Sequence, residues 1–144
     1  MADERTLTVP GRVEYLAQIA DFITQAARDA GFDEDDVFHV HMAVDEACSN
    51  IIEHAYAGDA HGDISVTCVR ETDGDLRVEI CDQGKPFDPD QVPVPHIGKS
   101  PLDLDELRIG GLGLFFIRKL MDEVTFHFDE ECGNTLTMVK RRPR

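Results

Sequence analysis

Apolar and polar positions along this chain alternate with two different periods. Residues 5–9 (RTLTV) alternate over a Thr- and Val-rich stretch, which predicts a short strand ended by Pro10-Gly11. From 12 to 30 the apolar positions are Val13, Leu16, Ile19, Ala20, Ile23 and Ala27, a helical stripe stopped by Gly31. Asp33 is placed to cap a second helix, whose acidic first turn (Glu34, Asp35, Asp36) suits the helix dipole. Its stripe runs Val37, Val40, Val44, Cys48, Ile51 and Ala55 and ends near Gly58. Residues 63–82 then read as two strands, DISVTCVR and DLRVEICD, joined around Asp73-Gly74 as a hairpin.

The stretch from Gly84 to Ile109 breaks the pattern. It holds Pro86, Pro89, Pro93, Pro95, Pro101 and Gly98 with almost no periodicity, which in a compact domain marks a functional lid or a disordered segment. A Gly-rich turn (GGLGL) leads into a third helix through about Asp122. Two last strands, VTFHFD and TLTMVKR, flank a turn containing Gly133-Asn134. The order is strand, two helices, hairpin, lid, helix, hairpin. This predicts an α/β (α+β) two-layer sandwich, not a doubly wound sheet, in one domain spanning 1–144.

Composition narrows the function. With 144 residues and 42% apolar, the chain is long enough for one cored domain. No apolar run approaches the roughly 18 residues that span a bilayer, and the N-terminal MADERTLTVP is no signal peptide. A soluble, cytoplasmic protein is expected. The net charge is −15, and Lys140, Arg141, Arg142 and Arg144 crowd the C-terminus, so the body is more acidic still. Such a body lacks the basic footprint of a nucleic-acid binder. Cys48, Cys68, Cys81 and Cys132 contain no C-x-x-C pair and read as reduced, packed thiols.

Several motifs fail on inspection. Gly98-Lys99-Ser100 is no P-loop, because the first glycine of that motif falls at Pro93 and no strand precedes it. GGLGL is no dinucleotide fingerprint, since its third glycine position is Phe116. His39 and His41 lie two apart on a helix and do not face each other. No metalloprotease, serine-hydrolase or calcium-loop motif occurs.

Three features carry chemistry in combination. On the second helix, Glu46, Asn50 and either Glu53 or His54 run one turn apart, opposite the apolar stripe. Read separately they are a solvated face. Together they offer a carboxylate that takes a proton and an amide oxygen that ligates Mg²⁺. Asp82-Gln83-Gly84 ends a strand, and an ordinary strand-to-turn Asp-x-Gly is one reading of it. The sharper reading is an acceptor-only carboxylate that binds the adenine 6-amino group and repels the guanine oxygen, with Gly84 allowing close backbone approach. Gly110-Gly111-Leu112-Gly113-Leu114 opens a helix and is either a flexible connection or an anion site. In this order the three features form one site for Mg-ATP.

The segments HMAVDEACSNIIEHAY, CDQGKPFDP and LRIGGLGLFFIRKLMDEV resemble the nucleotide-binding boxes of the GHKL (Bergerat-fold) ATPases. More narrowly, they resemble the anti-sigma-factor serine/threonine kinases of bacterial partner switches. The resemblance implies a mixed, mostly antiparallel sheet with about three helices on one face and an ATP lid over 84–109. It implies Glu46 as base, Asn50 as Mg²⁺ ligand and Asp82 with Gly84 at adenine. Gly110, Gly111, Leu112, Gly113 and Leu114 are implied at the phosphates, Arg108 near the γ-phosphate, and Thr135 beneath the adenine pocket. Gly133-Asn134-Thr135 departs from the family's usual Gly directly before Thr. Implied partners are a STAS-domain anti-anti-sigma protein, phosphorylated on serine, a sigma factor or substitute output protein, and a second copy of the chain. Two other readings stay open: an ATPase domain of a split sensor histidine kinase, and a non-catalytic ATP-binding module that sequesters a partner.

Overall fold

The computed structural model describes residues 3–55, 62–83, 111–129 and 133–142, with backbone alone at 54, 55, 111–114, 128 and 129. Five strands form one sheet: β1 (Asp3–Pro10), β2 (Asp63–Arg70), β3 (Leu76–Asp82), β4 (Glu123–Asp129) and β5 (Gly133–Lys140). Their spatial order is β1-β2-β3-β5-β4, so the last hairpin joins the sheet through its second strand and leaves β4 at the edge. All four pairings are antiparallel, which refines the mostly antiparallel sheet expected. Three helices, α1 (Leu16–Asp29), α2 (Glu34–Asn50) and α3 (Gly111–Leu120), supply the second layer. The expected lid, 84–109, lies outside the described residues.

Local signals explain most element ends. Asp33 is extended at the start of α2, and its carboxylate accepts from the Asp36 backbone N–H at 2.9 Å, satisfying one of the orphan donors of the first turn. Gly31 takes φ +92° after α1, a conformation that side-chain-bearing residues avoid. The β2–β3 turn closes with Gly74 at φ +97° while Asp73 accepts from the Asp75 N–H. Ahead of α1, residues Val13–Tyr15 form a short 3-10 turn, so the helix expected from residue 12 begins regular winding at Leu16. After Asn50 the chain widens into a π-helical turn, Ile51–Ala55.

The core lies between the layers. Ile19 and Ile23 of α1, Val37, Val40 and Val44 of α2, and Ile117 of α3 meet Ile64, Val66, Val78, Ile80 and Met138 from the sheet. Full burial of such a side chain contributes about 1.5–3 kcal/mol. On α2 the buried set includes Ala43 and Ala47, so its buried face is broader than the single stripe expected. The reason is that α2 packs against both α1 and α3 while its buried residues share one core with those of the sheet. The far face of the sheet is different. Thr6 pairs with Thr67 at 3.0 Å and Thr8 with Ser65 at 2.9 Å, hydroxyl to hydroxyl. Among the described residues no helix is long and apolar enough to cross a membrane.

The C-terminal strand also anchors the helix layer. Lys140, only 13% exposed in its side chain, donates from Nζ to the Leu120 carbonyl at 2.9 Å, where α3 leaves its last acceptors. The same ammonium lies 3.8 Å from Asp36 in the first turn of α2.

Candidate functional site: a buried carboxylate beneath an acidic helix

Strand β3 buries alternate residues, Leu76, Val78, Ile80 and Asp82, on the helix side. Its last position is thus a carboxylate where the pattern has an apolar residue. Asp82 is 5% exposed and is the one buried polar or charged side chain among the described residues. A group in that position requires hydrogen-bond donors. One of them is Asn134, whose Nδ2 donates to Asp82 Oδ1 at 3.0 Å.

This contact corrects the expected end of β5. Residues Gly133 and Asn134 are not the turn between the last strands; β5 begins at Gly133, and Asn134 sits opposite Asp82 in the ladder. Partners directly opposite share a face, so Asn134 shares the helix face with Leu136 and Met138. Thr135 falls on the other face of the sheet, opposite Cys81, with its hydroxyl 3.6 Å from Cys81 Sγ. The Thr135 side chain therefore does not sit beside Asp82, and Asn134 holds that position. Counting back by twos from Leu136 puts Asn134 on the buried face, and the register with β3 sets it opposite Asp82. Gly133, at φ +86°, brings the β5 backbone against the Asp82 carbonyl oxygen so closely that a Cβ at 133 would overlap it.

Above Asp82 lies α2. The Cys48 thiol is fully buried, and burial first, then the charges of Asp45 and Asp82, push its pKa up to about 12. That coupling places the Asp82 charge near the helical turn that carries Glu46 and Asn50. Glu46 is half-buried, and its pKa is raised, chiefly by desolvation and then by repulsion from Asp45 and Glu53. It is thus more than a solvated face residue: its proton affinity is shifted toward neutrality, the direction that suits a general base. Asn50, also half-buried, is one turn on, at the last regular residue before the π-helical turn. Glu53 is exposed, and the side chain of His54 lies outside the description.

Helix α3 begins at Gly111, so Gly111, Leu112, Gly113 and Leu114 form its first turn, where backbone N–H groups have no intrahelical partners. Gly84, Arg108 and Gly110 lie outside the described residues. The structure thus pairs Asp82 with Asn134 at the junction of β3 with β5, within reach of Cys48 on α2, the helix whose last two turns also carry Glu46 and Asn50.

Comparison with known proteins identifies the family of the chain. The family model described as histidine kinase-like ATPase domain matches residues 9–140. A serine-protein kinase RsbW of Listeria monocytogenes is 34% identical over 139 residues, covering 95% of this chain and 87% of the relative. One from Staphylococcus epidermidis is 35% identical over 136 residues, covering 93% and 84%. The chain belongs to the histidine kinase-like ATPase domain family, among its RsbW relatives.

Two solved structures share the fold of this ATPase domain. The RsbU and RsbW domains of a Mycobacterium tuberculosis protein align with a TM-score of 0.69 at 21% identity, over 98% of this chain and 33% of that one. A blue-light activated histidine kinase of Erythrobacter litoralis aligns with a TM-score of 0.54 at 16% identity, over 88% of this chain and 59% of that one. The GHKL-type two-layer fold read from the sequence is therefore the fold of the domain, and family membership makes ATP its nucleotide.

Proposed function

We propose that this chain is an ATP-dependent serine protein kinase of a bacterial partner switch. In this reading it phosphorylates a serine of a STAS-domain anti-anti-sigma protein and, in competition, holds a sigma factor or a substitute output protein inactive. The observation that carries it is Glu46: a half-buried carboxylate of raised proton affinity, in a chain whose relatives at 34–35% identity are named serine-protein kinases.

The residues fit the ligands this requires. Asp82 accepts hydrogen bonds only, which suits the adenine amino group and disfavours guanine. Mg²⁺ beside a triphosphate needs one or two protein oxygens, and Asn50 offers its amide oxygen one turn from Glu46. The N–H groups at the start of α3, from Gly111 to Leu114, suit phosphate oxygens, and the family resemblance assigns Gly110 to the phosphates, Gly84 to adenine and Arg108 to the γ-phosphate. ATP supplies the transferable phosphoryl group. The chain's own residues then position and neutralise, which is most of what phosphoryl transfer demands. Glu46 takes the proton of the acceptor serine hydroxyl. Desolvation, and after it the acidic neighbours Asp45 and Glu53, raise its proton affinity and so make it a stronger base than an exposed glutamate. A homodimer in the cytoplasm completes the reading.

The test is transfer of label from radioactive ATP to candidate STAS proteins. Phosphoserine on the acceptor supports the kinase. Phosphohistidine would favour a split sensor kinase, and tight binding without transfer would favour a sequestering module.

A further inference from the structure

Strand β5 contributes two adjacent groups to the end of β3, and both act on Asp82. Gly133 lies against its carbonyl oxygen and the Gln83 Cα, and the Asn134 amide engages its carboxylate. A carboxylate only accepts, so the nitrogen of the Asn134 amide, not the oxygen, must face it. The contact is short of water and fixed at both ends by a ladder in which Asp82 and Asn134 are directly opposite.

We propose that Asn134 is a positioning residue for nucleotide binding: its amide orients the Asp82 carboxylate and holds it ionised for the base of the nucleotide. This deepens the adenine reading of Asp82 and rests on it. The physical argument has two parts. A carboxyl at 5% exposure is driven toward its neutral form by desolvation, and a neutral carboxylic acid presents a donor as well as an acceptor. A donor held against one oxygen opposes this and stops rotation of the group. Adenine preference therefore depends on Asn134 as well as on Asp82. The sequence carries Asn at this position and Thr at the next, and only the register shows that the amide and not the hydroxyl reaches the carboxylate.

The experiment is calorimetric titration of the full chain with ADP and with GDP, from pH 5.5 to 8, for the wild type, Asp82→Asn, Asn134→Ala and Asn134→Asp. Asp82→Asn tests the adenine reading by itself and should abolish preference for ADP. Asn134→Ala should weaken ADP binding by roughly tenfold, the usual worth of a charge-assisted hydrogen bond, and narrow the ADP-to-GDP ratio. Asn134→Asp supplies the signature. Two carboxyls in contact share a proton, so at pH 5.5 the acid at 134 donates as the amide did and ADP affinity stays near that of the wild type. At pH 8 that proton is lost, the two charges repel, and affinity relative to wild type should fall by at least tenfold. If Asp82→Asn loses ADP preference while both Asn134 variants bind ADP as the wild type does at every pH, the proposal is overturned and the adenine reading stands. A loss in Asn134→Asp that is equal at pH 5.5 and 8 would make Asn134 merely structural and also overturn it. Wild-type ADP preference in Asp82→Asn would remove both.

Discussion

Gly133 and Asp82 stand backbone to backbone at the junction of β5 and β3, with Gly133 at φ +86° and no room for a Cβ beside the Asp82 carbonyl oxygen. Gly31 has a similar φ, +92°, but open space around it. The two glycines separate conformation from contact. Gly31→Ala should cost about 1–2 kcal/mol, the left-handed backbone alone. Gly133→Ala should cost measurably more and displace Asp82. Urea denaturation of both variants, with ADP titration of any that fold, checks this; equal losses would mean that the junction yields freely.

Glu46→Gln should slow serine phosphorylation by about 10²–10⁴-fold while leaving ATP affinity nearly unchanged, because a general base acts on the acceptor proton. Normal transfer by this variant would end the base assignment.

The same substitution has a stability signature. Glu46 has a pKa raised by folding, so the native state holds its proton more tightly than the unfolded chain does. Its contribution to stability is therefore present below the unfolded pKa and lost as pH rises through the folded value. Glu46→Gln removes that loss. The variant should melt higher than wild type at pH 7, and the gap should close as pH falls below the ordinary glutamate range. Thermal melts at pH 4, 5, 6 and 7 read this directly, and a gap independent of pH would argue against desolvation as the cause.

Asn50→Ala should behave differently in kind. Removing the amide oxygen should weaken Mg²⁺-dependent nucleotide binding, with little change when nucleotide is titrated in EDTA. Unchanged Mg²⁺ dependence would take Asn50 out of the metal's ligands.

Cys48 and Cys68 are buried thiols with pKa values pushed up to about 12, by burial in both cases. Neither should react with iodoacetamide at pH 8 until the domain unfolds, since the thiolate is the nucleophile. Peptide mapping after native and urea-treated labelling checks it; fast native labelling of either would contradict the packing described.

Much of this architecture is written locally. The Asp33 cap, the Gly31 stop, the Asp73-Gly74 turn and the alternation of β2 and β3 each depend on a few neighbouring residues and their own dihedral preferences, so one sequence suffices to find them. The same holds for Asp82 as an anomaly: a carboxylate at the buried parity of a strand is visible by counting. Three things were decided only in three dimensions. The insertion of β5 between β3 and β4 is a pairing between segments 52 to 64 residues apart, and no local period encodes it. The choice of Asn134 over Thr135 as the partner of Asp82 follows from register, because a shift of one residue sends every side chain to the opposite face. The raised proton affinity of Glu46 comes from desolvation on a helix flanked by two others, together with the charges of Asp45 and Glu53. The sequence names the glutamate; burial by distant segments sets its chemistry, since desolvation depends on what surrounds a group and not on which residues adjoin it.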